Sequence, residues 1–266
     1  MSFKRDNPGS PCCTCCPCYK LDGNGKSATG PHNLTETNAS YASGIMGQAA
    51  EFTGSQHYHR TGVDCFSPSE VPVWSMWFWI KETTEPTALH GAFHGVVTKG
   101  KINGNPGTAA APPTSFDGEW GVFYKPPDPV DDKFPSGPNM YFVFRSSSVN
   151  FGLLGTDALA DNKWHFFHWT INHTTKQTDI VRYREGSTSA FVVCPTVGCT
   201  STPNIVGNMS KSTELLRIGN NTGTNGVTLG SNSGSFLIDN VGFSDRSSSA
   251  SDLYNSGNGK PCPNIG

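Results

Sequence analysis

Apolar and polar residues alternate at every second position in several short segments, the period of half-buried β-strands. Val73 to Lys81 is the densest of them. It sets Trp74, Met76, Phe78 and Ile80 on one face and Ser75, Trp77 and Trp79 on the other. Bulk on both faces predicts a central strand covered in part on both sides. Ala92 to Lys99, Glu119 to Lys125 and Asn139 to Ser146 follow as strands, on their β-branched and aromatic content. Phe167, Trp169 and Ile171 supply a second inward face. Thr178 to Glu185 and Ala190 to Val193 predict a hairpin, and Glu214 to Gly219 and Phe236 to Phe243 close the set.

Three stretches break this pattern and predict long loops: Lys101 to Gly118, Pro126 to Pro138, and Pro195 to Lys211. All are rich in Pro, Gly, Ser or Asn, and serve either as interaction surfaces or as surface decoration. Residues 1–44 carry a cysteine run and a polar, Gly/Asn/Thr-rich stretch. They offer little apolar surface to offset the entropy of ordering, so an irregular head is expected there. A globular domain is expected over residues 45–256, with 257–266 as a tail.

Composition narrows the class. Gly 30 and Pro 19 in 266 residues fit many short strands joined by turns, so the chain is read as all-β. Charged residues are 15% and the net charge is -2, which provides no basic field for nucleic acid. No apolar run is long enough to cross a bilayer, so membrane insertion is not expected. The basic start has no apolar segment behind it, so no signal peptide is read in this chain. A virion or an extracellular place reached by another route is expected ahead of the cytoplasm.

Three segments in order carry a family resemblance: Val73-Trp74-Ser75-Met76-Trp77-Phe78-Trp79-Ile80-Lys81, then Trp164-His165-Phe166-Phe167-His168-Trp169-Thr170, then Gly234-Ser235-Phe236-Leu237-Ile238-Asp239-Asn240-Val241 before Asp252-Leu253-Tyr254. Together they resemble the laminin-G-like jelly roll of the concanavalin A-like lectin/glucanase superfamily. The resemblance implies a two-sheet antiparallel β-sandwich. It does not choose among the lectins, adhesins, virion proteins and enzymes that share the fold.

Enzymes of that fold cut β-glucans with carboxylates spaced along one strand, a pattern missing here. Glu119 has no acidic residue two or four positions away, and Asp161 reads as a turn former before Trp164. No nucleophile elbow, zinc-protease helix, P-loop or dinucleotide fingerprint is present, so catalysis is not expected. His57 and His59 bracket Tyr58 and are read as edge-strand histidines, with a metal pair as the alternative. The resemblance places Asp239, with Asn240 in place of the family's Glu, where relatives hold calcium. The other reading is a carboxylate that accepts backbone N–H bonds. Sugar binding needs exposed aromatic faces; Trp77, Trp79, Trp120, Tyr124 and His57 are the candidates.

Nine cysteines are an odd count. Cys12, Cys13, Cys15, Cys16 and Cys18 crowd seven residues, and the readings are crosslinking between chains, a thiolate metal site, or a reduced tail. They are expected to lie outside the sandwich core. Cys194 and Cys199 flank a short Gly-containing loop and are expected to pair. Neighbouring first and last strands in jelly rolls imply a staple between Cys65 and Cys262. The expected function is a non-catalytic binding or adhesion module for a glycan or a surface protein, with possible self-assembly through the head. The alternatives are a structural protein of a virion or extracellular assembly, and a glycan-active enzyme with an unfamiliar site.

Overall fold

The computed structural model describes residues 17–29, 32–53, 56–61, 66–84, 94–103, 115–125, 139–145, 150–155, 159, 161–175, 177–194, 211–219, 235–245 and 248–259. Among the described residues, fifteen strands and one short α-helix follow in chain order. They are β1 (Cys18–Tyr19), β2 (Thr35–Thr37), β3 (Ser40–Ser43), β4 (Gln48–Phe52), β5 (His57–Arg60), β6 (Val73–Thr84), β7 (His94–Asn103) and β8 (Ser115–Lys125). Then come β9 (Asn139–Arg145), β10 (Asn150–Gly155), β11 (His165–Asn172), β12 (Gln177–Arg184), β13 (Phe191–Cys194), β14 (Leu216–Ile218), β15 (Ser235–Ser244) and α1 (Ala250–Tyr254).

The strands form two antiparallel sheets. Sheet A runs β13-β12-β11-β6-β15-β4-β3, with β1 also on β15; sheet B runs β10-β9-β8-β7-β14-β5-β2. The expected all-β sandwich is the fold. β6 sits between β11 and β15, the central place that its two bulky faces predict.

The inward face of β6 (Trp74, Met76, Phe78, Ile80) joins Phe167, Trp169 and Ile171 of β11 and Trp120, Val122 and Tyr124 of β8 in one buried core. At its centre Trp74 lies 5.1 Å from the Trp120 ring and 5.6 Å edge-on from Trp169. Trp120 donates its indole N–H to the Phe66 carbonyl at 2.6 Å, and Trp169 donates to Thr178 Oγ1 at 2.8 Å. These bonds satisfy polar atoms that burial would otherwise leave costly.

Sheet A also buries its outer face. Trp77, Trp79, Trp164, Phe166, Tyr183 and Leu237 form a second cluster with Cys18, Ala49 and Tyr254. The cover is α1, capped by Ser249, whose hydroxyl accepts the Asp252 N–H. Trp77 lies flat over Gly242: a Cβ there would sit 2.1 Å from the indole. Any larger residue at position 242 must displace the ring.

Several sequence expectations need correction. The sandwich begins well before residue 45. β1, β2 and β3 lie inside the stretch read as a head, and Tyr19 and Leu21 are fully buried. A few apolar residues there do the anchoring that average composition conceals. Cys18 is in the core, 1% exposed, against the expectation for the cysteine run. Cys12, Cys13, Cys15 and Cys16 lie outside the described residues. The Lys101–Gly118 loop is shorter than expected, since β7 continues to Asn103 and β8 starts at Ser115. Strand β10 was not anticipated. The domain also runs past 256, for Gly259 is buried and its N–H bonds the Tyr254 carbonyl at 3.2 Å.

Candidate functional site

On one edge β15 has two partners placed end to end. β4 pairs with Phe236–Ile238 and β1 pairs with Val241 and Gly242. Asp239 and Asn240 fall in the gap between them. The register against β6 also shifts by one residue there, a β-bulge, and Asn240 takes a left-handed φ of 48°. Bulges turn side chains out of the pleat, and asparagine tolerates that φ better than the glutamate of the resembling family.

The gap is closed by the turn between β3 and β4 and by the chain after β1. Asp239 Oδ2 accepts N–H bonds from Ile45 at 3.0 Å and Met46 at 3.2 Å, and Asn240 Nδ2 donates to Asp239 Oδ1 at 2.5 Å. The turn needs Gly44, where a Cβ would lie 2.6 Å from Asp239 Oδ2. Asp22 Oδ1 accepts the Gln48 N–H at 2.9 Å and holds the far end of the same turn. Above this floor a cleft of about 200 Å³ is lined by Lys20, Asp22, Met46, Gly47 and Asn240. Lys20 and Asp22 are exposed, while Asn240 is buried. The cleft therefore presents an ammonium, a carboxylate and a turn backbone around one methionine, a set suited to hydrogen-bonding a small polar ligand.

Of the residues expected at a site, Asp239 and Asn240 meet here. The groups that surround Asp239 are N–H donors, the opposite of what a cation requires, so this pair does not fit a calcium site. No group of three or more metal-ligating side chains occurs among the described residues. Asp239 takes the other role considered from sequence, as a carboxylate satisfied by backbone amides.

The aromatic candidates are not platforms. Trp77 and Trp79 lie in the cluster on the outer face of sheet A, 6% and 1% exposed. Trp120 and Tyr124 are in the inter-sheet core, where Tyr124 donates its hydroxyl to Glu82 Oε1 at 2.8 Å. His57 is half-buried on β5, its ring 5.4 Å from His59. Cys194 ends β13, and Cys199, Cys65 and Cys262 lie outside the described residues. Asp161 is the turn former that its position predicts: Oδ1 accepts the Lys163 N–H at 2.9 Å, and Oδ2 pairs with Arg184 at 2.6 Å. Sequence reading missed Lys20 and Asp22. The signal was the short alternation Tyr19-Lys20-Leu21-Asp22 inside a stretch dismissed on composition.

Two buried groups of sheet A titrate in opposite senses. Burial pushes the Asp239 carboxyl up to about 7, against the lowering effect of its N–H donors. Burial pushes the His168 imidazole down to about 4, beside the Ser248 hydroxyl at 2.8 Å. A carboxyl raised on folding contributes stability present at low pH and lost as pH rises through about 7. A histidine lowered on folding contributes stability present above its ordinary value and lost as pH falls towards about 4. Each effect amounts to roughly 3–4 kcal/mol at full extent. Between pH 4 and 6.5 they oppose each other. Relative to the parent chain, Asp239→Asn should therefore make Tm rise more steeply with pH across that window, and His168→Gln should make it rise less or fall. Calorimetric Tm profiles of the three proteins check this; parallel profiles would refute it.

No protein-family model matches the chain, and no curated protein matches it in sequence. Solved structures do match. A Trypanosoma rangeli sialidase in complex with sialic acid is similar at a TM-score of 0.53 and 12% identity, over 91% of this chain and 33% of that one. The botulinum neurotoxin serotype C1 binding domain is similar at a TM-score of 0.50 and 12% identity, over 85% of this chain and 48% of that one. The chain spans less than half the length of either. At such identity the likeness concerns the fold.

Proposed function

We propose that this protein is a non-catalytic glycan-binding module, and that the cleft beside Asn240 holds the sugar. The observation that carries the reading is the cleft itself, where Lys20, Asp22 and the Gly47 turn converge on a small concave surface held by a buried carboxylate. Sugar hydroxyls need donors and acceptors in fixed positions, and the bulge and turn supply a rigid base for them. The fold shared with a sialidase solved with sialic acid and with a toxin binding domain adds support. In this reading adhesion to a glycan-bearing surface is the biological use.

A glycan array with the purified chain tests it. Specific binding of at least one glycan class is expected. Lys20→Ala should weaken that binding roughly tenfold or more, the loss of one charge-assisted hydrogen bond. Its Tm should stay close to that of the parent, because Lys20 is exposed. An array without binding overturns the reading. Binding that survives Lys20→Ala and Asp22→Ala moves the site elsewhere. Turnover of a bound glycan overturns the non-catalytic part.

A further inference from the structure

Sheet B carries a cationic cluster on the face turned away from the core. Tyr58 of β5 and Leu216 and Ile218 of β14 pack in the inter-sheet core. Strand alternation therefore projects His57, His59 and Arg217 from the opposite face. Arg217 lies directly across from His59 in the β14–β5 pair. The His57 and His59 rings are 5.4 Å apart. All three side chains are half-buried. We propose that His57, His59 and Arg217 bind a sulfate or phosphate group, free or carried as an ester.

The arrangement is costly without an anion. Like charges directly opposite on neighbouring strands repel. Burial, then His57, then Arg217 hold the His59 imidazole below its ordinary value. The elements around His59 supply no opposite charge. β2 places the uncharged Thr35 and Thr37 across from His59 and His57. Glu36 lies across from Tyr58, where its carboxylate accepts the Gly25 N–H and the Tyr41 hydroxyl. Arg60 shares the Tyr58 side and donates to the Asn33 carbonyl at 2.7 Å. Among the described residues of β2, β5 and β14, no carboxylate faces the cluster.

Two polar atoms in the same cross-strand row point the same way. His59 Nδ1 is buried and has no hydrogen-bond partner among the described residues. Thr98 of β7, directly across from Arg217, buries a hydroxyl oxygen that also has none. Buried polar atoms in native folds are matched by protein, solvent or a bound ion. The donor set suits a tetrahedral oxyanion. A guanidinium presents a planar fork to two oxygens, and imidazole N–H groups reach the others. A divalent cation, the other ligand that two histidines suggest, would meet the Arg217 charge. No group of three metal-ligating side chains occurs there among the described residues.

The site is separate from the cleft beside Asn240, which opens where β1 and β4 meet β15 in sheet A. Its test therefore does not depend on that of the glycan reading. Each imidazole gains a charge and a second N–H on protonation, so the anion should bind more tightly as pH falls.

The experiment is an NMR titration of the histidine ring resonances of the full chain. It is run against pH in sodium chloride, and at the same ionic strength in sodium sulfate, sodium phosphate or a monosulfated monosaccharide. His57→Gln and His59→Gln assign the two rings. Saturating sulfate should raise both midpoints by roughly one unit, the shift that tenfold tighter binding to the charged imidazole produces. His173, on another strand, should titrate alike in sulfate and chloride. Arg217→Gln should weaken sulfate binding roughly tenfold or more and remove most of the rise. Arg217→Lys, which keeps the charge and loses the fork, should restore part of it. If Arg217→Gln does not fold, loss of sulfate binding in His59→Gln decides the matter. A sulfated sugar that binds roughly tenfold tighter than inorganic sulfate identifies an ester as the ligand, and equal binding identifies the free ion. Equal midpoints in sulfate and chloride overturn the proposal. So does a sulfate-induced rise that survives in Arg217→Gln.

Discussion

Replacing Tyr254 by alanine is expected to cost roughly 3–5 kcal/mol of stability, the range for removing a fully packed aromatic. The ring is 2% exposed. It stacks on Tyr183 at 4.2 Å with 16° between the planes and on Trp79 at 5.5 Å with 24°, and it lies 6.1 Å from Phe166. Its hydroxyl reaches the Arg184 carbonyl at 2.6 Å and the Ser187 carbonyl at 2.8 Å, which fastens α1 to the β12–β13 turn. A five-residue helix has no stability of its own in water, so it stays through its packing on sheet A, to which this ring contributes the only fully buried side chain of the helix. Tyr254→Phe retains the stacking and should lose about 1 kcal/mol, the worth of the hydroxyl. Denaturant unfolding of both variants separates the terms. The account fails if Tyr254→Ala unfolds within 1 kcal/mol of the parent.

Glu119→Ala should be as damaging, by a different route. Lys99 is 4% and Glu119 0% exposed at the side chain, and they meet at 2.7 Å. The Lys99 ammonium also donates to Ser67 Oγ at 2.9 Å and to the Ser212 carbonyl at 2.6 Å, so its three donors are used. Glu119 accepts from the hydroxyls of Ser67 at 2.9 Å and Ser69 at 3.0 Å. The network ties the 3-10 turn at 68–70 and the chain before β14 onto β7 and β8. Taking away Glu119 leaves a buried cation without its counter-charge, a loss of roughly 3–5 kcal/mol. The double change Lys99→Met with Glu119→Leu removes both charges and should recover most of that loss. A double variant no more stable than Glu119→Ala would show that the hydroxyl and carbonyl contacts, rather than the charge balance, carry the stability. The carboxylate that sequence reading weighed for catalysis thus has a structural place, enclosed by donors from two segments, the 67–69 stretch and β7.

Much of the sandwich was legible in the chain before any coordinates. β6 shows both of its apolar faces, so its central position followed from counting residues of period two. β11, β12 and β15 were legible for the same reason, since strand period and aromatic content are local properties. The limit was reached where a few residues act through distant partners. β1 is two residues long, and Tyr19 and Leu21 count only because β15 and sheet B are there to bury them. Composition averaged over residues 1–44 diluted that contribution below notice.

The site divides along the same line. That Asp239 was a residue with a particular task could be read from the ordered motifs. Which task it has was decided by the turn at residues 44–47, nearly two hundred positions away in the chain, which delivers two amide N–H groups to its carboxylate. The aromatic candidates show the converse. Tryptophans in alternating strands signal large apolar area, and sequence alone does not say which surface covers it. Trp77 and Trp79 are buried in the cluster on the outer face of sheet A, Trp79 under Tyr254 of α1, and Trp120 and Tyr124 lie in the core between the sheets. Local sequence determined strand, turn and cap, because these depend on neighbours within a few residues. Exposure, charge pairing and the cleft beside Asn240 depend on which segments meet in space, and the tertiary structure decided them.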